Sequence, residues 1–342
     1  MASFLLNASP EIMRTYYQPQ GNLLVYSSPL HGEGVKSARN HATGDVIYSE
    51  KPLCILQTLP NTQDVLVCGA CHKILGSFDL QIKLLSKELT RQTLTIQMDN
   101  LVDSADPTNA VFHCPDRCGE LYCSTACRDQ HWSRHQLLCT GALTEEEAAT
   151  SPLIRFKMHA CETNEIFLLV ADVFAKICSD IDMMRQSKAA GNGEDVAIIA
   201  AALAPYDRFV RNLWWDCVVI DPSSSSPKPS SSNISGSVTQ ATANDNDGDG
   251  GNEENLPSVL KQLVVESWAL LREVLNLDGR GLTHVLTAEY MARTIGMFEQ
   301  NNIGVRCTHP LTVAAASLYP HTSFVAPFLA GAEKISAYLD GE

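Results

Sequence analysis

Residues 121–139 run LYCSTACRDQHWSRHQLLC. They hold two couples of metal-grasping side chains, Cys123-x3-Cys127 and His135-x3-Cys139. Two more couples lie upstream, Cys68-x2-Cys71 and Cys114-x3-Cys118. A tetrahedral zinc ion takes four thiolate or imidazole ligands. A gap of two or three residues lets both members of a couple reach one ion, the first from a turn and the later ones from a turn entering a helix. Four couples make two closed sites with no position left for a substrate, so both ions would be structural, and the free energy of binding them is folding free energy. Spacing alone leaves the partnership open. Sequential sites would join the first two couples and the last two. Interleaved sites would join Cys68/Cys71 with Cys123/Cys127, and Cys114/Cys118 with His135/Cys139.

The alternative is reduced core cysteines or disulfides. Seven of the twelve cysteines fall in these couples, and Cys54, Cys161, Cys178, Cys217 and Cys307 are scattered through apolar segments. No basic stretch precedes an apolar one at the amino terminus, so a secretory signal is not expected, and paired cysteines in a reducing compartment read as metal ligands. His131, four residues before His135, and His113 are weaker ligand candidates suited to supporting roles; His72 is expected to face solvent. Cys161 and Cys178 read as core residues on helix faces.

The chain has 342 residues, 45% of them hydrophobic, and a formal net charge of −14. That length allows two compact units. No apolar run is long enough for a membrane span, so no membrane association is expected. An acidic protein does not wrap nucleic acid through its overall field. From Cys68 to Cys139 there are seven Lys/Arg against eight Asp/Glu. That balance lacks the basic footprint of a DNA or RNA reader, and the expected partner is protein.

Residues 22–58 read as strands. Gly-containing turns fall at HGEG (31–34) and HATGD (41–45). Inside the cysteine region, 72–113 is a long insert whose DLQIKLLSKELTRQ places Leu80, Leu84, Leu85 and Leu89 on one helical face. Ser151-Pro152 starts a helix expected to run to about Arg185. Further helices fit 194–204, 206–217, 256–276 and 288–299, the last capped by Thr287. Residues 221–255, rich in Ser, Asn, Asp and Gly, cannot bury enough apolar surface to fold and read as a disordered insert.

LYCSTACRDQHWSRHQLLC resembles the MYND finger, which places Tyr-Cys-x3-Cys before His-Trp and closes with His-x3-Cys. That resemblance implies the interleaved pairing. The chain departs from the pattern in the three-residue gap between Cys114 and Cys118, where two are usual, and in the long insert after Cys71. Upstream, HGEGVKSARNHATGDVIYSEKPLCIL (31–56) resembles the opening of the SET domain in SET-and-MYND (SMYD-type) protein-lysine methyltransferases, where a finger follows the Glu-Lys-Pro segment. AEYMARTIGMFEQNNIGV (288–305) resembles that family's later helix and Asn-containing strand, and FKMHACETNEIFLLVADV (156–173) and RNLWWDC (211–217) are similar to a plant-type branch.

The resemblance implies an α+β fold: a split SET β-fold interrupted by a MYND double-zinc finger, then a mainly helical region. Its parts would be 22–58 (first SET part), 68–139 (finger), 151–220 (helices), 221–255 (insert), 256–305 (helical SET insert and start of the second SET part) and 306–342 (unassigned). It also implies S-adenosyl-L-methionine as a cofactor, contacted by Gly32, Glu33, Gly34 and Asn301, with Asn302 as an alternative register for the last. Protein substrates such as histone tails, peptide ligands of the finger, and a nuclear or cytoplasmic location follow from the same resemblance. No catalytic residue is assigned. The family's Asn-His-Ser-Cys segment and its Cys-rich closing zinc site have no counterpart after Val305; Tyr319 and Tyr338 sit in no recognisable motif. A chain ending at 342 is therefore not expected to complete a methyl-transfer site. It would be a truncated methyltransferase, a non-catalytic zinc-finger adaptor, or a chain whose last residues are an unusual insert.

Overall fold

The computed structural model describes residues 23–28, 32–45, 53–91, 93–94, 110–187, 194–207, 209, 211–218, 256–307 and 322–327. Among them the fold is mixed α+β, with small antiparallel sheets beside a helical body. Strands β1 (Leu23–Ser28) and β2 (Gly32–Ser37) form a two-stranded ribbon in which Ser28 faces Gly32 and Leu23 faces Ser37. Strand β3 (Leu56–Gln57) joins two strands from the far end of the chain, β6 (Asn302–Cys307) and β7 (Thr322–Pro327), in the order β3-β7-β6. This pairing brings distant parts of the chain into register, with Leu56 opposite Val325, 269 positions later. The third sheet is the hairpin β4 (Phe112–His113) and β5 (Leu121–Tyr122).

A four-residue helix, α1 (Leu59–Thr62), follows β3. The cysteine region contains α2 (Phe78–Leu85) and α3 (Thr125–His135). After it come α4 (Glu145–Thr150), α5 (Pro152–Thr163), α6 (Ile166–Ser187), α7 (Glu194–Leu203), α8 (Trp214–Cys217), α9 (Leu256–Val274) and α10 (Ala288–Asn301). Their starts follow local chemistry. Thr144 and Glu147 close a reciprocal capping box on α4, and the Ser151 hydroxyl accepts from the Ile154 amide ahead of Pro152.

Helix α6 is the axis of the larger core. Phe167, Val170, Phe174, Ile177 and Ile181 are all fully buried. Three of its charged residues, Asp172, Lys176 and Asp180, recur every fourth position and share one stripe. Burying each large apolar side chain contributes about 1.5–3 kcal/mol. Helix α9 adds Leu260, Val264, Ser267 and Leu271 at alternating four- and three-residue steps, and α10 is buried from Met291 to Phe298 except for Arg293. No described helix is long and apolar enough to cross a membrane.

Several expected elements take a different form. The single helix from 151 to 185 is two helices. Asn164 is extended, and its side-chain oxygen accepts from the Ile166 amide, ending α5 and starting α6. The helix across 79–92 stops at Leu85 because Lys87 adopts a left-handed φ of 62°. Of the helix expected at 206–217, Trp214–Cys217 is the part that is helical among the described residues. Gly32, Glu33 and Gly34 open a strand, so the chain reverses between Ser28 and Gly32 rather than at 31–34. Two stretches of the unassigned tail, 306–307 and 322–327, belong to β6 and β7. The low-complexity 221–255, Tyr319 and Tyr338 lie outside the described residues.

Gly296 sets how closely α10 approaches the 211–217 segment. A Cβ there would stand 2.0 Å from the Asn212 carbonyl oxygen, and the Cys217 thiol donates to the Gly296 carbonyl at 3.8 Å. Gly296→Ala is expected to destabilise the protein by about 1–3 kcal/mol through overpacking, despite the better helix propensity of alanine. The urea midpoint measures it; an unchanged or raised midpoint would contradict the close approach.

Candidate metal centre

Each metal-ligand couple is presented by a local device. Cys68 and Cys71 lie on a tight turn closed by Cys68 N–H to Lys73 O at 2.8 Å and His72 N–H to Cys68 O at 2.9 Å. His72 leaves that turn with a φ of 58°. Cys114 and Cys118 occupy the equivalent turn of the β4–β5 hairpin, closed by Cys114 N–H to Glu120 O at 2.9 Å, with Arg117 at φ 57° and Gly119 at φ 95°. The Gly69 amide donates to Leu121 O at 2.9 Å and ties the two turns together. Cys123 follows β5. Cys127 sits in the first turn of α3, where the Ser124 hydroxyl accepts from its amide at 3.0 Å. His135 is the last residue of α3, and a hydrogen bond from Leu138 N–H to the His135 carbonyl oxygen at 2.8 Å folds the chain back to bring in Cys139.

The eight side chains form two clusters. Cys68, Cys71, Cys123 and Cys127 make one; Cys114, Cys118, His135 and Cys139 make the other, and within each all ligand atoms lie within 4.8 Å of one another. This is the interleaved arrangement. Helix α3 links the clusters, with Cys127 and His135 separated by about 12 Å of rise at 1.5 Å per residue.

The spacing within the clusters fits a four-coordinate ion. The Cys71 and Cys123 sulfurs are 3.6 Å apart, Cys123 and Cys127 3.5 Å, and Cys114 and Cys139 3.5 Å. The His135 Nε2 lies 3.4 Å from the Cys114 sulfur and 3.3 Å from that of Cys118. Metal–sulfur bonds of about 2.3 Å in a tetrahedron give edges of roughly 3.8 Å, whereas a disulfide needs about 2.05 Å. Burial, followed by hydrogen bonding with neighbouring thiols, pushes the Cys123 thiol up to about 12. Burial likewise raises Cys118, with the negative charges of Cys139 and Cys114 adding to it. Burial raises Cys68 too, but backbone amides of Cys71, Cys123 and Ala70 outweigh it and bring that thiol below its usual value. Thiols crowded this way lose their protons most readily to a bound cation, which supplies the missing charge. Burial holds His135 neutral, with a pKa of about 4, which keeps Nε2 available as a ligand.

The supporting histidines fall outside both clusters. The Tyr122 hydroxyl lies 3.1 Å from His131 Nδ1, and the His131 ring stacks on His135 at 5.3 Å. His131 is held neutral by burial, at about 3. His113 pairs with Leu121 across the hairpin. His72 is half-buried rather than solvent-facing, and burial lowers it to about 4. Cys178 is buried as expected, but Cys161 is exposed on α5, a correction to its reading as a core residue.

The long insert supplies the finger's own core. Leu75, Leu80, Leu84, Leu94 and Val111 pack with Cys68, Cys114 and Tyr122. The finger then docks on the helical body through α3. Arg134 pairs with Asp172 of α6 at 3.0 Å, and Lys157 of α5 donates to the Leu138 carbonyl at 3.2 Å. Neither contact has a motif that sequence reading detects; the one hint is the position of Arg134 beside a ligand histidine. The residues implied as cofactor contacts belong to different elements. Gly32, Glu33 and Gly34 lie in the β1–β2 ribbon, while Asn301 ends α10 before the β6 sheet and its side-chain amide donates to the Met297 carbonyl at 2.7 Å.

A histone-lysine N-methyltransferase of Arabidopsis thaliana, ATXR2, is 24% identical to this chain over 328 residues. The match covers 82% of this chain and 64% of the relative, so the chain spans less than two thirds of that protein's length. The chain is distantly related to a histone-lysine methyltransferase. No family model matches the sequence, and no solved structure does.

Substituting one ligand should cost far more than substituting an exposed cysteine. Cys114→Ser is expected to destabilise the finger by more than about 4 kcal/mol, and Cys161→Ser to stay within about 0.5 kcal/mol. Denaturant unfolding of the two variants compares them; similar midpoints would contradict a metal-dependent fold.

Proposed function

We propose that the two clusters each hold a structural zinc ion, forming a MYND-type finger within a SET-type protein-lysine methyltransferase. The observation that carries this reading is the interleaving of a four-cysteine cluster with a three-cysteine, one-histidine cluster across one helix. Thiolate-rich tetrahedral sites suit zinc, which brings no redox chemistry and is commonly used to hold a fold. Each set supplies four protein ligands, so neither ion has a vacant position for substrate and the finger's work is positioning. Domain order adds support: residues 31–56, before the finger, carry the SET-like opening, and 288–305 carry the later helix and strand. The distant likeness to a histone-lysine methyltransferase points to protein lysines, histone tails among them, in the nucleus or cytoplasm.

S-adenosyl-L-methionine is the proposed methyl donor, with Gly32, Glu33, Gly34 and Asn301 as its proposed contacts. When bound, it supplies an electrophilic methyl group for in-line transfer to a neutral lysine amine. This part of the proposal rests on the sequence resemblance and the relative's activity, not on a pocket. The finger's proposed partners are short peptides, proline-containing ones included; its near-balanced charge argues for protein over nucleic acid.

A second reading is a zinc-finger adaptor without catalysis. The observation favouring it is that Gly32–Gly34 and Asn301 stand on separate elements, the ribbon and the end of α10. One experiment separates the two. Metal-loaded chain with tritiated S-adenosyl-L-methionine and core histones is expected to label histone lysines, with label falling at least tenfold in Asn301→Ala. No label from folded, metal-loaded chain that still captures a proline-containing peptide would replace the enzyme by the adaptor.

A further inference from the structure

A cavity of about 270 Å³ lies where the finger meets the helical body. Its walls come from three sources: the β3–α1 segment, the finger, and helices α5 and α6. One part is apolar, formed by Leu153, Phe156 and Leu168 among others. The other part is charged, formed by Arg91, Glu120, Arg134, Lys157 and Asp172.

The charges do not cancel. Arg134 pairs with Asp172 at 3.0 Å, and Arg91 approaches Glu120 at 3.9 Å. Each carboxylate therefore has a guanidinium beside it, and the buried Glu120 also feels the positive charge of Lys157, which leaves one positive charge in excess among the five side chains. Lys157 is the fifth charge. Its ammonium donates to the Leu138 carbonyl at 3.2 Å, and among the described residues no carboxylate forms an ion pair with it. A half-buried ammonium facing a cavity with one carbonyl acceptor retains two further N–H groups for a ligand. Anions are favoured there by charge, and an aliphatic body is favoured by the apolar wall.

We propose that this cavity binds a small aliphatic carboxylate, its charged end on Lys157 and its hydrocarbon end against Leu153, Phe156 and Leu168. The ammonium and the carboxylate form a charge-assisted hydrogen bond, stronger than a neutral one and strengthened further by partial removal from water. The short chain displaces water from the apolar wall. Because residues of the finger and of α5 and α6 line the same space, an occupant touches both bodies at once and favours the docked arrangement over a separated one. This inference rests on the cavity alone and stands or falls apart from the methyltransferase reading.

Valerate is a suitable probe, and ligand-observed saturation-transfer NMR on the full metal-loaded chain reads its binding. The expected result is transfer to valerate, little to n-pentylamine, which has the same chain and the opposite charge, and little to propionate, whose chain is too short to cover the apolar wall. Lys157→Met is expected to weaken valerate at least tenfold. Lys157→Arg, which keeps the positive charge, is expected to retain most of it. Arg155→Met, on the exposed side of the same helix, is expected to bind as the parent does. Circular dichroism and metal content verify that each variant is folded. Equal transfer to n-pentylamine, or undiminished valerate binding in folded Lys157→Met, would overturn the assignment, as would no transfer to valerate in the parent protein.

Discussion

Seven sulfurs and one imidazole nitrogen are gathered into two groups of four, closer together than apolar packing requires. Without a cation this crowding is unfavourable. The thiols must either stay protonated or repel one another as thiolates. A bound ion reverses the balance, because its charge pays for the deprotonation and its bonds fix four positions of the chain at once. The finger's local structure depends on that exchange. Its strands are two residues long, α3 has eleven residues, and its apolar core is small. Below about 40 residues of compact core a domain usually needs such a staple, and in larger metal domains much of the stability still comes from it.

The interleaving has a mechanical consequence. Had neighbouring couples shared an ion, the finger would be two beads joined by a link. With the couples alternating, α3 is anchored at both ends, at Cys127 to one cluster and at His135 to the other. A helix held at its two ends is a rigid strut, and its outer face carries Arg134 to Asp172 on α6. The finger and helical body are thus connected through the element that the metal sites hold most firmly. The long insert, which departs from the resembled pattern, supplies Leu80, Leu84 and Leu94 to the finger core and so contributes to its stability.

The ligand couples were legible because short gaps between cysteines have few other physical uses. Which couples share an ion was not legible from spacing, since it is decided by how the β4–β5 hairpin and the Cys68 turn are laid side by side through the Gly69–Leu121 hydrogen bond. Helix existence was legible from apolar periodicity; helix ends were not always so. Asn164 divides the expected 151–185 helix through a side-chain cap, and Lys87 ends α2 in a conformation that lysine rarely adopts. The long-range sheet that unites Leu56 with Val325 had no local signal at all. The cofactor contacts were assigned by resemblance, and in the structure Gly32–Gly34 lie in a ribbon strand and Asn301 caps the end of a helix.

Zinc-edge X-ray absorption on the purified chain tests the metal account most directly. The account predicts two zinc ions per chain and a first shell of seven sulfurs and one nitrogen shared between them, with sulfur at about 2.3 Å. A shell rich in oxygen, or a single ion per folded chain, would contradict it.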